Sequence, residues 1–319
     1  MYRRQMLLAG MASALGPVAA QEPGFPSRPV RVLLGFPPGG STDGPMRVLA
    51  EDAARMLRQP VIIENRPGNA GLMPAQLLQN SPADGHTIGV IPGNLFRLPY
   101  TGSIAWDPAR DLRYVIGLTE FVYGIVVPAD SPLRNLDDLL AFARANPEKL
   151  NYATAGPWLA QHITMEQIAR IQGVRFNHVP YKGSAEALNA VLGGHVMAAA
   201  DTSAWGPYVA SGKLRLLVTF NARRVARFAD VPTLREAGID FPPPSAAWGL
   251  AAPKNTPPAA VRTLHDAFHQ AMQMPGFRQA LAAYDMEPAY MGSAQYQRFA
   301  AESVLREKRL LDEIGFVKS

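Results

Sequence analysis

Short apolar runs that suit β-strands alternate along this chain with longer segments whose apolar residues recur at helical spacing. In the first such unit, the apolar run 30–36 is followed by a glycine-containing turn and then by a segment with Met46, Leu49 and Ala53 on one helical face. The alternation continues almost to the end of the chain, where three helix-like segments follow one another. Strands that alternate with helices are typical of layered α/β folds. The pattern therefore predicts an α/β protein built around largely parallel sheets.

The same periodicities give approximate bounds for the individual elements. Further strands are predicted near 61–64, 87–91, 124–127, 150–154, 176–179, 196–200, 214–220 and 248–251. Further helices are predicted near 71–79, 136–145, 160–171, 185–192, 258–272, 275–284 and 293–314. The order of these elements suggests a domain made of residues 21–123 and 247–319, with a second domain, residues 124–246, inserted into it. Crossings near 121–126 and 244–249 are then expected to form a hinge.

The first twenty residues have the character of an export signal. Arg3 and Arg4 form a basic start, and the apolar stretch 6–15 that follows is shorter than the ~20 residues that span a bilayer. Small residues at 18–20 offer a cleavage site. The sequence predicts export by a signal peptide cleaved near Ala20, through the general secretory route or the twin-arginine route.

Composition excludes several classes of function. The chain has no cysteine, which excludes disulfides, a thiolate-ligated metal, a cysteine nucleophile and a lipid-modified N-terminal cysteine. The formal net charge is +5, and it falls to +3 once the two arginines of the signal are removed. The one dense basic cluster, residues 223–227, lacks interleaved aromatic residues, so no nucleic-acid partner is predicted. The ~300 residues of the mature chain are enough for two domains.

Residues 36–43, Phe-Pro-Pro-Gly-Gly-Ser-Thr-Asp, join the first predicted strand to the first predicted helix. Gly39 and Gly40 can take backbone conformations with positive φ, and the hydroxyl and carboxylate residues that follow can cap the helix. Backbone N–H groups at a helix N-terminus also suit an anion, because the helix dipole favours negative charge there. Both interpretations stay open: an anion-binding loop, or only a tight turn with a capped helix.

Motifs for phosphate, dinucleotide and serine-hydrolase chemistry are missing. Tyr181-Lys182-Gly183-Ser184 has lysine and glycine in the wrong order for a phosphate loop, and no GxSxG nucleophile elbow surrounds Ser41, since Asp43 stands where the second glycine is required. The pairs His265/His269 and His162/Glu166 have helical spacing but no third metal ligand at a recognisable distance. No cofactor, metal or catalytic group is therefore predicted.

Six motifs, in order, make the chain similar to the Bug-type periplasmic solute receptors, the binding component of tripartite tricarboxylate transporters. They are FPPGGSTD (36–43), VIIENRPGNAG (61–71), SPADGHT (81–87), WDPARDL (106–112), HVPYKG (178–183) and DVPTLREAG (230–238). The resemblance covers the chain from about residue 27 to its end. It implies a two-domain α/β periplasmic binding protein of type II-like architecture, with a hinge and a cleft that closes on a small solute, often a carboxylate.

The resemblance also implies ligand-binding positions in both domains. The first loop is expected to contribute Phe36, Pro38, Gly39, Gly40, Ser41, Thr42 and Asp43, with Asp43 as a helix cap rather than a partner of a ligand ammonium. The opposing loop aligns with residues 152–159, which include Gly156, and His162 sits where the family commonly has histidine.

Two residues of the opposing loop depart from the family pattern. Trp158 occupies an expected glycine position, and Leu159 occupies an expected hydroxyl position. The substitution favours an aromatic or apolar wall and a less polar ligand; alternatively, the ring of Trp158 points out of the cleft. Asn94 can also reach a ligand. Asp201 and Thr202 end a predicted strand, where they can face a ligand or cap the next helix.

The function implied by the resemblance is that of a non-enzymatic, monomeric receptor, which captures a small organic acid or related small molecule in the periplasm and delivers it to membrane permease subunits. Two alternatives remain open at this point. One is a secreted enzyme on the same scaffold that uses Asp43, His162 or Asp201 as acid or base. The other is a sensor subunit that presents its closed form to a signalling partner.

Overall fold

The computed structural model describes residues 24–102, 104–241 and 244–313, so the predicted signal peptide lies outside the described residues. The strands of the described part are β1 (Val30–Leu34), β2 (Val61–Asn65), β3 (Thr87–Pro92), β4 (Leu112–Glu120), β5 (Tyr123–Pro128), β6 (Asn151–Thr154), β7 (Asn177–Pro180), β8 (Ala198–Thr202), β9 (Leu214–Thr219), β10 (Ala247–Pro253) and β11 (Pro288–Met291). The helices are α1 (Asp43–Leu57), α2 (Met73–Leu78), α3 (Leu98–Thr101), α4 (Leu136–Ala145), α5 (Ala160–Gln172), α6 (Ser184–Leu192), α7 (Gly206–Ala210), α8 (Pro258–Met272), α9 (Pro275–Ala282) and α10 (Ser293–Glu313).

The described strands form two mixed sheets. The first has the order β11-β4-β10-β3-β1-β2, and the second has the order β7-β6-β8-β5-β9. Strand β10 runs antiparallel to both of its neighbours, β3 and β4, and β5 runs antiparallel to both β8 and β9. The prediction of largely parallel sheets is therefore wrong, although the α/β class is confirmed. Strands β5 and β10 each enter their sheet from the other half of the molecule, whereas β11, which is antiparallel to β4, follows α9 of the same half.

The first strand–helix unit shows why this sequence folds as predicted. Helix α1 buries Met46, Leu49 and Ala53 completely against the first sheet and its covering helices. It ends at Arg58, which takes a left-handed conformation with φ of 53°. Gly35, directly after β1, has no room for a side chain, since a Cβ there would lie 2.1 Å from the carbonyl oxygen of Gly71. This close approach fixes where the chain leaves β1 and enters the loop 36–43.

Two chain crossings connect the sheets. One joins β4 to β5 at residues 121–122, and the other leads from the second sheet to β10. The crossings are hydrogen bonded to each other, with the Phe121 N–H donating to the carbonyl oxygen of Ala246 at 3.0 Å. The molecule is thus a two-domain α/β protein whose C-terminal elements return to the first sheet. The domain limits 21–123 with 247–319 and 124–246, and the hinge at the crossings, stay predictions.

Among the described residues, no helix is long and apolar enough to cross a membrane.

Candidate ligand-binding site

A small cavity lies between the two sheets, beside the crossings. The cavity volume is about 60 Å³. Its walls are the loop after β1 (Phe36, Pro37, Gly40, Ser41 and Thr42), the end of β3 and the turn after it (Pro92, Gly93 and Asn94), the first crossing and β5 (Phe121 and Tyr123), the start of α5 (Ala155, Leu159, Ala160 and Gln161), the start of α6 (Gly183, Ser184, Ala185 and Glu186), Thr202 of β8 and Ser245. Both domains therefore enclose the same space.

Three helix N-termini meet at this cavity. They belong to α1 from the first domain and to α5 and α6 from the second domain. Their N-cap residues are Thr42, Leu159 and Gly183, and none of the three provides a side-chain capping hydrogen bond. The first N–H groups of a helix have no partner within the helix, and the helix dipole places partial positive charge there. In α1 the N–H groups of Asp43 and Gly44 donate to the carbonyl oxygen of Gly40, and Pro45 has no N–H, so the free first-turn donors are those of α5 and α6. The convergence creates a positive electrostatic environment from backbone alone.

No lysine, arginine or histidine is among the described residues that line the cavity. The one charged side chain there is Glu186, which is exposed and accepts a hydrogen bond from the Lys182 N–H at 3.3 Å. An anion in the cavity is therefore stabilised by N–H groups and hydroxyls rather than by a salt bridge.

Hydroxyl groups connect the two domains across the cavity. The Oγ of Ser41, after β1, lies 2.8 Å from the Oγ1 of Thr202, at the end of β8. Thr202 Oγ1 is in turn 3.2 Å from the Oγ of Ser184, which donates to Asp201 Oδ1 at 2.7 Å. Burial raises the pKa of Asp201 to about 6, against the opposing effect of the hydrogen bonds from Ser184 and Thr202. The cleft between the two domains is closed in this structure, since side chains of both domains are in contact.

Asp43 does not act as the expected helix cap, because it is the first residue of α1 and not its N-cap. Its Oδ2 accepts from the Gly39 N–H at 3.1 Å and from Arg47 Nε at 2.9 Å, and its Oδ1 accepts from Asn65 Nδ2 at 2.8 Å. Burial acts to raise the pKa of Asp43, but these hydrogen bonds outweigh it and the pKa is lowered. Asp43 therefore ties the glycine loop to α1 and β2, outside the cavity wall.

Trp158 lies away from the cavity wall. Its backbone has a left-handed φ of 59°, a conformation that favours the glycine of the family pattern. The indole packs against a small apolar cluster formed by Ile163, Leu310 and Leu311. The backbone N–H of Trp158 donates to His162 Nδ1 at 3.1 Å, and the backbone carbonyl of Trp158 accepts a hydrogen bond from Arg97. The aromatic wall of the cavity is formed instead by Phe36, Phe121 and Tyr123.

His162 contacts the loop that contains Trp158 but does not line the cavity. Its ring stacks on His178 with a centroid distance of 3.9 Å, and His178 Nε2 lies 2.7 Å from the Oγ1 of Thr154. Burial, with smaller contributions from His178 and Arg97, lowers the pKa of His162 to about 3, so the ring is neutral near pH 7. Gly156 lies in the same loop and approaches the first domain, since a Cβ there would lie 3.3 Å from Ala70 Cβ.

The structure brings half of the predicted site residues to the cavity. Those that line it are Phe36, Gly40, Ser41, Thr42, Asn94, Leu159 and Thr202. Those that do not line it are Pro38, Gly39, Asp43, Gly156, Trp158, His162 and Asp201. Their role in ligand binding stays a prediction.

Several lining residues are absent from the sequence-based prediction, among them Pro37, Tyr123, Gln161, Ser184 and Ser245. Ser184 follows the Tyr-Lys-Gly motif at the start of α6, and Gln161 lies in the first turn of α5. Both residues can be identified from the sequence because each lies at the start of a predicted helix. Tyr123 and Ser245 reach the cavity only because the two crossings are adjacent in space.

Comparison with known proteins agrees with this geometry. Residues 46–316 match the model of a family described as tripartite tricarboxylate transporter family receptor. The "UPF0065 protein in gbd 5'region" of Cupriavidus necator is 50% identical over 327 residues, covering 100% of both chains.

Two solved structures from Rhodopseudomonas palustris are also similar. One, solved with adipate, has a TM-score of 0.86 at 26% identity and covers 92% of this chain and 100% of its own. The other, MatC with bound malate, has a TM-score of 0.83 at 27% identity and covers 90% of this chain and 100% of its own. With its two-domain α/β fold and its interdomain cavity, this chain belongs to the tripartite tricarboxylate transporter receptor family of periplasmic solute-binding proteins.

Proposed function

We propose that this protein is a periplasmic receptor that captures a small organic acid, as its anion, and delivers it to the membrane permease subunits of a tripartite transporter. One observation carries the proposal: the N-termini of α5 and α6 and the glycine loop before α1 converge on a cavity whose described lining includes no basic side chain. Such a site suits a carboxylate, because N–H donors and helix dipoles stabilise negative charge without a counter-ion.

The two similar structures support this ligand class. They were solved with adipate and with malate, both of which are dicarboxylates. The apolar part of the wall, formed by Phe36, Phe121, Tyr123 and Leu159, suits the carbon skeleton of a short acid. We further propose that the receptor acts as a monomer, after removal of a signal peptide near Ala20.

Capture is coupled to closure. The N-terminus of α1 belongs to the first domain, whereas those of α5 and α6 belong to the second, so an anion contacts all three only when the cleft is closed. A ligand that binds one conformation better shifts the population towards it. The bound acid therefore stabilises the closed form, in which the receptor is recognised by its membrane partners.

Isothermal titration calorimetry on the mature protein tests the proposal. Mono- and dicarboxylates of four to six carbons should include at least one that binds, whereas the matching uncharged diamides should not bind. Mass spectrometry after incubation should recover the bound acid unchanged. Binding of diamides as strong as that of the acids contradicts the anion site, and conversion of the acid supports the enzyme alternative.

A matched pair of variants at Gly40 sharpens this test. Among the described residues no hydrogen-bond acceptor is found for the Gly40 N–H, and a Cβ at Gly40 meets nothing within 4 Å. Gly40→Pro deletes the N–H donor, whereas Gly40→Ala keeps it. We expect affinity for the acid to fall about ten-fold in the proline variant, the value of a hydrogen bond to a charged group, with near-unchanged binding in the alanine variant. Equal affinities in the two variants contradict a role for this N–H.

A further inference from the structure

A groove on the surface of the first domain is lined by three arginines from three different elements. They are Arg113 of β4, Arg262 of α8 and Arg298 of α10, and all three are exposed. The groove has a volume of about 440 Å³, and His265, Tyr290 and the first residues of α10 also line it. It shares no described lining residue with the cavity between the domains. The groove is therefore separate from the proposed ligand site.

The positive charge of this groove is not neutralised by nearby carboxylates. Within the described part of the chain, the three arginines form no ion pair, and no aspartate or glutamate lines the groove. Most of the other described arginines pair with a carboxylate. Asp266, the one acidic residue of α8, contacts His265 instead, with its Oδ1 2.8 Å from His265 Nδ1. The groove thus offers three guanidinium groups to an anionic partner.

Hydrogen bonds between the surrounding elements hold the groove in shape. Ser293 Oγ donates to the carbonyl oxygen of Tyr114 at 2.6 Å, which connects the start of α10 to β4. His265 Nε2 lies 2.9 Å from Tyr290 Oη, which connects α8 to β11. Because the arginines extend from elements that are already fixed, a partner that binds them has little of the backbone to order, and the cost of binding is low.

The charge and shape of the groove indicate the class of partner. A guanidinium group binds a carboxylate with two parallel hydrogen bonds, so aspartate and glutamate side chains match these arginines in geometry as well as in charge. An extended acidic peptide can enter a concave groove and reach all three of its walls. A bilayer surface also carries negative charge, but a flat surface contacts the rim of a groove and not its lining. An acidic protein segment therefore suits the groove better than a membrane surface does.

We propose that the receptor docks with its membrane permease subunits through this groove, and that the permease contributes an acidic segment. Every element that lines the groove belongs to the first domain, so docking there leaves the cleft free to open and release the acid. The contacts that recognise the closed form are additional to it. This inference rests on the proposed function, since it assigns the surface that meets the permease.

A labelled hexaglutamate peptide tests the chemistry of the groove. Fluorescence anisotropy measures its affinity for the mature protein at about 20 mM salt, where exposed charges are least screened. The groove variant carries Arg113→Gln, Arg262→Gln and Arg298→Gln. We expect the dissociation constant of the peptide to rise about ten-fold or more in this variant, because charge complementarity is lost.

The chain offers a control that removes the same charge elsewhere. The control variant carries Arg170→Gln, Arg223→Gln and Arg309→Gln, at three exposed arginines that also lack an ion pair among the described residues. Its affinity for the peptide should stay within about two-fold of the wild type. Melting temperatures verify that both variants fold, and calorimetry should show that both bind the organic acid as the wild type does.

Uptake by cells tests the identity of the partner. In cells that carry only one version of the receptor, uptake of a labelled acid that binds in calorimetry should fall about ten-fold with the groove variant. It should stay near the wild-type rate with the control variant. Because acid affinity is unchanged in both, a difference in uptake reports docking and not capture.

Each outcome decides the matter. The inference is wrong if the wild type does not bind the peptide, if the groove variant binds it as well as the wild type, or if both variants lose it equally. It is also wrong if the groove variant loses only binding to vesicles of phosphatidylglycerol and phosphatidylcholine, or if its uptake is normal. In all these cases the organic-acid receptor stands. If no carboxylate binds in calorimetry, the proposed function is wrong and the inference is wrong with it.

Discussion

The ionised carboxylate of Asp201, beside the ligand cavity, lowers the stability of the folded protein because it is buried. It is fully buried, its Oδ2 has no partner among the described residues, and burial raises its pKa to about 6. In the unfolded chain an aspartate loses its proton near pH ~3.9. Because the folded-state pKa is the higher one, the contribution of Asp201 to stability is fully present below pH ~4 and is lost as the pH rises through 6.

Asp201→Asn should therefore stabilise the protein at alkaline pH and not at acid pH. The amide keeps an oxygen that can accept from Ser184 and from the Thr202 N–H, as Oδ1 does in the wild type. We expect the free energy of unfolding at pH 8 to rise by on the order of 2 kcal/mol, with little change at pH 4. Urea titrations at both pH values measure this. The same increment at both values contradicts a titration effect.

His162 and His178 act in the opposite direction. Burial lowers their pKa values to about 3 and about 4, so both rings resist protonation in the folded protein. Unfolded histidines bind a proton near pH ~6.5. Because the folded-state pKa values are the lower ones, the contribution of these two histidines to stability is fully present above pH ~6.5. It is lost as the pH falls towards 4.

His162→Asn should make stability less sensitive to acid. An asparagine Oδ1 can replace Nδ1 as the acceptor of the Trp158 N–H, but it does not titrate. Between pH 7 and pH 4.5 the variant should lose on the order of 2 kcal/mol less than the wild type. His195→Asn, at an exposed histidine, is the control and should lose as much as the wild type. Parallel curves for the wild type and His162→Asn contradict the prediction.

At the scale of elements, α10 connects both domains through one carboxylate. Glu307 Oε2 accepts from Arg97 Nε at 2.9 Å, and its Oε1 accepts from the Ser245 N–H at 2.9 Å. The side chains of Arg97 and Glu307 are 1% and 0% exposed. Because Arg97 also donates to the carbonyl oxygen of Trp158, this ion pair holds together α10, the second crossing and the loop before α5.

Removing one member of this pair should cost more than removing both. Glu307→Leu leaves the Arg97 guanidinium buried without a counter-ion, and we expect a loss of about 3–5 kcal/mol in the free energy of unfolding. The double variant Arg97→Met with Glu307→Leu replaces the pair by apolar groups of similar size and should lose less. A denaturant double-mutant cycle measures the coupling. Losses that simply add contradict a strong buried ion pair.

At the scale of the whole molecule, Gly183 and Pro37 meet across the closed cleft. A Cβ at Gly183 would lie 3.1 Å from Pro37 Cδ, which is tighter than an ordinary contact. The backbone at Gly183 is extended, with φ of 165°, so a side chain there causes no conformational strain of its own. A larger side chain at 183 therefore clashes with Pro37 when the cleft closes, and it opposes closure.

Gly183→Ala and Gly183→Val should weaken ligand binding in that order, with about a ten-fold loss for valine and near-unchanged melting temperatures without ligand. The added side chain raises the free energy of the closed form only, and the affinity for the ligand falls with the population of that form. Small-angle scattering should show the radius of gyration of the wild type falling at saturating acid, and that of the valine variant falling less. A wild-type radius that does not change contradicts a hinged receptor.

Local sequence determined the class and most elements of this protein. The predicted helix 258–272 coincides with α8, and the predicted strand 214–220 ends one residue beyond β9, because apolar periodicity and flanking proline and glycine act over a few residues. The prediction omits β4, although it is the second strand from one edge of the first sheet and six consecutive residues of it are buried. An apolar run of this kind has no alternation that marks it as a strand.

Tertiary structure decided what local pattern does not encode. The place of β10 between β3 and β4 depends on hydrogen bonds between residues more than 100 positions apart. Whether Asp43 caps a helix or ties a loop depends on Asn65 and Arg47, and the direction of the Trp158 ring depends on an apolar cluster supplied by α10. The polar composition of the cavity likewise arises only where Asn94, Gln161 and Ser245 meet across two domains. Periodicity reports which face of an element is buried, whereas long-range packing and hydrogen bonding decide what it is buried against.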